Sequence, residues 1–538
     1  MTEMIRAADA LARRLQTAGC RYAFGMPGGE VLTILDALRL AGIEFILCKH
    51  ENAAAFMAEA AWHRTGAPGI LVGTVGPGVL NGVNAIANAE QDRVPLIVLS
   101  GSVDADEAES YTHQVLDQRA VLAPITKMTL QLTAGAVHIQ ADKAVTTAME
   151  GRLGPVYVDV PISVADAMIP ASALPARPTA APVQIAGDAL ETAREWLAEA
   201  VRPVMITGVD AMNQNAESDI AAFCEGFGVP LITSYKAKGT LPENHALALG
   251  GAGLSPLADA QLLPLVEQAD LIICAGYDPI EMRTGWRNPW DPKAQRVIDI
   301  QAVPNDHYMH QATLNVVADV APTLAAIGDG VAARETWRSG EVQKTKAALA
   351  AAFPADGPWG PGAIVDVCRK ILPRTALATA DSGAHRILLS QQWECYEPRG
   401  LMQSSGLCTM GCALPLAIGA ALVEPERTVI SFSGDAGFLM IAGELATAAE
   451  LKGNPIFLVF VDASLALIEK KQRARQLTNT GVDFAEHDFA AIGRAFGGNG
   501  VTVRDRVGLE AALKDAMTSD RFTVIAAEIE RGAYDGRI

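Results

Sequence analysis

The strongest constraint on this chain is a pattern of short, uninterrupted apolar runs. Glycine and proline often cluster where these runs end, and in the first third the runs alternate with Ala-rich stretches. Such a run fits a strand whose two faces are both covered, as in a parallel sheet between helix layers. Runs at 45–48, 69–72, 95–99 and 156–160 fill the first third, with a shorter one at Tyr22 and Ala23. Helices are read between them at 53–62 and 82–89. The middle third has runs at 204–207, 231–234, 271–275 and 297–300, and the last third at 376–380, 428–432, 456–461 and 524–528. No short-period repeat is present. The pattern predicts an α/β fold with three doubly wound parallel-sheet domains, whose ligands bind beyond the carboxyl ends of the strands.

Composition sets the boundaries. The 170–182 stretch holds four prolines among alanines and reads as a linker. Residues 329–360 are polar, then helical, then Pro- and Gly-rich, and read as a second. The expected domains are 1–169, 183–328 and 361–538, which suits a chain of 538 residues. Residues 1–15 read as an amphipathic helix, not a signal peptide. No apolar run approaches the ~20 residues of a membrane helix, so no membrane partner is expected. With 43 Lys and Arg against 61 Asp and Glu, the net charge is −18. That charge repels polyanions and argues against nucleic acid. Eight scattered cysteines without a Cys-x-x-Cys pair suit neither a zinc site nor a disulfide frame, and imply a reducing, cytoplasmic setting.

Five motifs carry candidate chemistry. Phe24-Gly25-Met26-Pro27-Gly28-Gly29-Glu30 follows the first strand. Its glycines allow a close backbone approach to a ligand, although a tight turn alone would account for them. His50-Glu51 ends the 45–48 run and opens a helix. Zinc would require a second His four residues on, where Ala54 stands, so a strand-end carboxyl remains. Desolvation would raise its pKa and suit it to sharing a proton. A Glu favoured by the helix dipole is the plain alternative. Gly73-Thr74-Val75-Gly76-Pro77-Gly78, then Asn81-Gly82, has the setting of a phosphate loop but matches neither the Walker nor the dinucleotide pattern. Gly434-Asp435-Ala436-Gly437 follows the 428–432 run, and Asp462, 27 residues after Asp435, ends the 456–461 run. Two strand-end carboxylates offer the hard oxygens that Mg²⁺ takes beside phosphate and water. Two unrelated turn aspartates are the alternative. Gly406-Leu407-Cys408-Thr409-Met410-Gly411, taken alone, is a loop with a core methionine.

In this order, and over nearly the whole chain, these motifs resemble the thiamin-diphosphate-dependent enzymes of the acetolactate synthase and 2-oxo-acid decarboxylase superfamily. The resemblance implies a pyrimidine-binding domain, a middle domain and a diphosphate-binding domain, in that order. It implies that Glu51 hydrogen-bonds the aminopyrimidine ring and favours the imino tautomer that removes the thiazolium C2 proton. It implies Mg²⁺ on Asp435, Asp462 and the Ser464 carbonyl, and Met410 wedged under a bent cofactor. Cys408 and Met410 match backbone contacts to the pyrimidine, Gly383 and His385 match diphosphate contacts, and Gln114 matches a glutamine near the reacting carbon. Pro27, Gly28, Thr74, Gly76, Gly434, Ala436, Gly437 and Leu465 complete the implied cofactor-binding set.

The stretch from Lys49 to Met57, His113-Gln114, Thr409-Met410-Gly411 with Ala413-Leu414-Pro415, Gly481-Val482-Asp483-Phe484 and Gly276-Tyr277-Asp278-Pro279-Ile280-Glu281 are most similar to FAD-independent, catabolic acetolactate synthases. Val461-Asp462 stands where the family often has Asn-Asn, and Asp remains a hard ligand. The Phe-Asp-Asp-Arg pattern of the FAD-containing synthases is absent, as is their Trp within 465–471, so FAD is not expected. The implied reaction is decarboxylation of a pyruvate-like 2-oxo acid and carboligation to a second carbonyl compound, with Leu465, Leu467 and Ile468 on the acceptor side. A simple decarboxylase or aldehyde lyase is the alternative. A non-catalytic binding role would go with loss of Glu51 or of the aspartate pair, and both are present. The resemblance also implies a homodimer or homotetramer, in which Glu51 and the Asp435/Asp462 pair at one cofactor come from different subunits.

Overall fold

A computed structural model describes residues 3–171, 177–280 and 282–538. Met1, most of the first half of the 170–182 stretch and Glu281 of the middle motif lie outside the described residues. Three six-stranded sheets, all parallel, follow one another along the chain. The first runs in the order Glu44–Leu47, Tyr22–Gly25, Gly69–Gly73, Leu96–Ser102, Val156–Pro161, Met128–Gln131. The third runs Leu401–Gln403, Leu377–Ala380, Val429–Gly434, Ile456–Val461, Thr523–Glu528, Asn499–Val503. Counted within each sheet, both have the strand order 2-1-3-4-6-5. The middle sheet, from Ala248–Gly251 through Pro203–Thr207 to Leu314–Val317, has the order 3-2-1-4-5-6. The first and third units therefore share a topology that the middle one lacks. In each of the two, the chain reverses direction across the sheet between its first and third strands, which is where an open α/β sheet leaves a crevice for ligands.

The apolar runs form central strands for the reason that made them visible: Leu96–Ser102 and Val156–Pro161 are buried along their whole length. The expected N-terminal helix is corrected. It spans Ala7–Thr17, and Met4–Arg6 before it is a strand paired antiparallel with Met168–Pro170. Exposed Met4 and half-buried Arg6 flank buried Ile5, an alternation suited to a two-stranded edge ribbon.

The first and third units share one apolar core, built on helix Glu51–Thr65 against helix Ala413–Val423. Alanines at 53, 54, 55, 58, 60 and 61 keep the first helix thin. A Cβ on Gly419 would lie 2.5 Å from the Met57 carbonyl, so a larger residue there would force the helices apart. Residues 329–360 pack on two units: Trp337 is buried on the middle one, its indole N–H donating to the Pro203 carbonyl at 2.7 Å, and Trp359 packs on the third, its indole N–H donating to the Glu528 carbonyl at 2.7 Å. Among the described residues, no helix is long and apolar enough to cross a membrane.

Candidate active site

In the third unit, strands Leu377–Ala380 and Val429–Gly434 end side by side at the reversal point. Beyond them lies a cavity of about 240 Å³. Gly383, His385, Cys408, Met410, Gly434, Asp435, Ala436, Gly437, Asp462, Ser464 and Leu465 all line it, so the structure brings together this half of the implied set. Asp435 opens helix Asp435–Ile441. Its Oδ2 accepts from the backbone N–H of Asp462 at 3.1 Å and of Ala463 at 2.7 Å, and its Oδ1 accepts from Ala436 at 2.8 Å. The two strand ends are thereby tied, and the carboxylates of Asp435 and Asp462 are held near each other. Burial pushes the Asp462 carboxyl up to about 7, with the Asp435 charge adding to it. Burial also raises Asp435.

This half fits a divalent cation with a phosphorylated group. Two carboxylates disfavoured as neighbours would both be stabilised by a cation between them. The side-chain oxygens of Ser382 and Ser464 and the Nε2 of His385 are buried without a partner among the described residues, and all three residues line the cavity. The His385 ring stacks on Phe460 with centroids 5.4 Å apart, and burial lowers its pKa to about 3, so it is neutral at pH 7. A Cβ on Gly434 would approach that ring to 3.3 Å, which leaves the Gly434 backbone open to the cavity. Beyond the aspartates the wall is apolar, formed by Leu254, Leu465, Leu467 and Ile468. Arg283 of the middle unit also lines the cavity, and its guanidinium has no ion-pair or hydrogen-bond partner among the described residues.

A residue to which the sequence reading gave no role holds the site's centre. Asp381 is fully buried, and burial pushes its carboxyl up to about 6. Its oxygens accept from the backbone N–H groups of Ser382 at 2.9 Å, Gly411 at 3.0 Å and Cys412 at 3.2 Å. A Cβ on Gly437 would lie 2.0 Å from Asp381 Oδ2. Asp381 therefore locks the loop after Met410 against the helix that begins at Asp435. Only its place after a buried strand marked it in the sequence. Arg283 left no signal at all.

The other half lies at the matching reversal point of the first unit. His50 caps helix Glu51–Thr65 by accepting from Asn52 N–H, which sets Glu51 at the first helical position. Glu51 is 3% exposed. Its Oε2 accepts from the Asn81 amide at 3.0 Å, and its Oε1 has no hydrogen-bond partner among the described residues. A Cβ on Gly78 would stand 3.3 Å from that Oε1, so glycine keeps the approach to it open. A Cβ on Gly28 would strike Thr74 Oγ1 at 2.0 Å, so the turn after the first strand rests on the loop after the third. Gly76 has φ +70°, and a Cβ there would touch Gln114, itself in the left-handed region at φ 60°. Thus Gly28 meets Thr74, and Gln114 meets Gly76, while Pro27 stays exposed beside them. Gln118 anchors the loop and was also missed. Its Oε1 accepts from Gly76 N–H at 2.8 Å, and its Nε2 donates to Tyr157 Oη at 3.1 Å and the Gly101 carbonyl at 3.2 Å.

Within one chain the two halves stay apart. Pro27, Gly28, Glu51, Thr74, Gly76 and Gln114 do not line the cavity at Asp435. One other described group could offer metal ligands, Cys274, Asp299 and His310 of the middle unit. There Asp299 already accepts from Gln301 at 2.7 Å, His310 at 3.0 Å and Asn305 at 3.2 Å, the bonding of a satisfied buried carboxylate.

Family descriptions match each unit. The "Thiamine pyrophosphate enzyme, N-terminal TPP binding domain" matches residues 5–121, the "central domain" 190–327 and the "C-terminal TPP binding domain" 381–527. The chain is 30% identical to the "Acetolactate synthase" of Bacillus subtilis, over 98% of this chain and 93% of that one. It is 29% identical to the "Acetolactate synthase, catabolic" of Raoultella terrigena, over 97% and 95%. It is 31% identical to the "Probable 2-ketoarginine decarboxylase AruI" of Pseudomonas aeruginosa, over 92% and 88%. A crevice floored by paired aspartates, in a chain of three such domains, leads to one conclusion: the chain belongs to the thiamine pyrophosphate enzymes and is an acetolactate synthase-like enzyme dependent on that cofactor.

Proposed function

We propose that the chain decarboxylates a small 2-oxo acid of the pyruvate type and joins the remaining fragment to a second carbonyl compound. One observation carries this: Arg283 lines the cavity together with Leu254, Leu465, Leu467 and Ile468, and its guanidinium has no partner among the described residues. That guanidinium beside an apolar wall suits a substrate with a carboxylate and a short apolar tail.

Asp435, Asp462 and the Ser464 carbonyl would hold Mg²⁺ and through it the diphosphate of thiamin diphosphate, with Gly383, His385, Gly434, Ala436 and Gly437 around the phosphates. Cys408, Met410 and Leu465 would bracket the rings. When bound, thiamin diphosphate supplies the nucleophilic carbon on which a 2-oxo acid loses CO₂. Glu51, with Oε2 engaged by Asn81, leaves Oε1 free to exchange a proton with the aminopyrimidine. Pro27, Gly28, Thr74 and Gly76 would form the wall around that ring, and Gln114 would reach the reacting carbon. Since Glu51 and the aspartate pair do not share a cavity in one chain, a second copy would supply the missing half, giving a homodimer or a dimer of dimers. Residues 1–169, 183–328 and 361–538 would be the pyrimidine-binding, middle and diphosphate-binding domains.

A plain decarboxylase or aldehyde lyase is the second reading, favoured by the relative named a decarboxylase. The test is the stoichiometry with pyruvate, thiamin diphosphate and Mg²⁺. Carboligation releases one CO₂ for every two pyruvates and gives a five-carbon hydroxy-oxo acid. Release of one CO₂ per pyruvate with free aldehyde would establish the second reading instead. No turnover of pyruvate or its short homologues would refute both substrate readings.

A further inference from the structure

We propose that Lys236, in the middle unit, is a positioning residue for the 403–410 loop: it holds Cys408 and Met410 at the cavity without touching what binds there. The proposal rests on the cofactor site described above.

Lys236 lies in the short turn Tyr235–Ala237, just beyond a strand end of the middle sheet, and its side chain is 7% exposed. Its ammonium donates to the Gln403 carbonyl at 2.7 Å, at the start of the loop. It lies 2.7 Å from Asp92 Oδ2 and 3.7 Å from Glu59 Oε1, both on the first unit. Asp92 is 1% exposed and accepts from two backbone N–H groups of the loop, Ser405 at 3.0 Å and Gly406 at 2.7 Å. Lys236 thus grips the loop directly at Gln403 and, through Asp92, at Ser405 and Gly406. Asn88 completes the grip by accepting from the Ser404 hydroxyl at 2.5 Å.

The loop is also pressed onto this anchor. A Cβ on Gly406 would meet the Gln91 Cβ at 2.4 Å, so a shift of the helix end at Asn88–Asp92 moves the loop. At its far end, Asp381 holds Gly411 and Cys412 within the third unit. Cys408 and Met410 lie between Asp381 of their own unit and the anchor made by the other two units, and Arg386 of their own unit also donates to the Ser404 carbonyl and, at 3.4 Å, to Cys408 Sγ. Of these holds, only the anchor made by the other two units requires Lys236. Without the ammonium, the Gln403 carbonyl loses its donor and Asp92 is left with its charge uncompensated by Lys236 in a buried place. Such a group draws in water or moves toward it. The loop should then loosen where it meets the cavity, while the sheet behind it keeps its packing.

Cys408 reports on this directly, since all eight cysteines are free and it alone is exposed. The experiment compares the full-length parent, Lys236→Met, and Lys236→Met combined with Glu59→Gln. The double variant removes one positive and one negative buried charge together, so it retains the net charge if the single variant folds poorly. Two quantities are measured: alkylation of each cysteine in cofactor-free protein, by peptide mass spectrometry, and the Kd for thiamin diphosphate with Mg²⁺. The expected result is Cys408 labelling faster by about fivefold or more with the other seven silent. The Kd should rise about tenfold, the effect of losing one charge-assisted hydrogen bond. Labelling and Kd within about twofold of the parent in the folded double variant would overturn the proposal. Exposure of the seven buried cysteines in both variants would also overturn it, because Lys236 would then hold the fold rather than the loop. A parent that binds no thiamin diphosphate would refute the cofactor site itself, a distinct outcome.

Discussion

Gly437→Ala opposes two effects at one position. Helix propensity favours the change by about 1 kcal/mol, because Gly437 is the third residue of helix Asp435–Ile441. The structure opposes it, because the new Cβ would lie 2.0 Å from Asp381 Oδ2. That oxygen cannot swing aside cheaply. Asp381 is fully buried, and Oδ2 accepts from Gly411 N–H while Oδ1 accepts from Ser382 and Cys412. Overpacking costs about 1–3 kcal/mol, and losing one hydrogen bond to a buried carboxylate about 1.5–3 kcal/mol. After the propensity gain, the net destabilisation is about 1.5–5 kcal/mol. Gly443→Ala is the control, since a Cβ there meets nothing within 4 Å. Urea unfolding of the cofactor-free protein, followed by the circular dichroism signal, should show a lower midpoint for Gly437→Ala and an unchanged or higher one for Gly443→Ala. A Gly437→Ala midpoint at or above the parent's would mean that Asp381 is not locked, and the account of the Met410 loop would fail.

Two further outcomes follow from the same geometry. Asp435→Ala or Asp462→Ala relieves the crowding of two buried carboxylates, so the fold should survive while thiamin diphosphate affinity collapses; calorimetric titration with unchanged affinity would remove the pair from the metal role. The purified protein should be colourless, and a flavin absorbance band retained through gel filtration would show that the middle unit had been misread.

The strands legible in the sequence are almost all interior ones. Of the strands that escaped it, Met128–Gln131, Ala248–Gly251, Leu314–Val317, Leu401–Gln403 and Asn499–Val503 are all at sheet edges. An edge strand is covered less and needs no unbroken apolar run: every residue of Met128–Gln131 is half-buried, and Asn499–Val503 begins with Asn-Gly. The site divides in the same way. Glu51, Asp435 and Asp462 were legible because each follows the end of an apolar run, which fixes its place beyond the carboxyl end of a strand. Asp381, Gln118, Asp92 and Lys236 were not, because their roles come from partners brought near by the fold. Asp92 and Ser405, 313 residues apart, illustrate why local spacing could not reveal them.

The central claim is that each active site is assembled from two chains, and subunit mixing tests it most directly. Glu51→Gln and Asp435→Ala proteins should each be nearly inactive in CO₂ release from pyruvate. A hybrid dimer of the two would carry one doubly defective site and one intact site, if Glu51 of one chain serves Asp435 of the other. Random exchange makes half the dimers hybrids, so mixing should restore about a quarter of the parent activity. If Glu51 and Asp435 of the same chain served one cofactor, every site in the hybrid would keep one defect. No recovery, with subunit exchange verified by native mass spectrometry, would contradict the account.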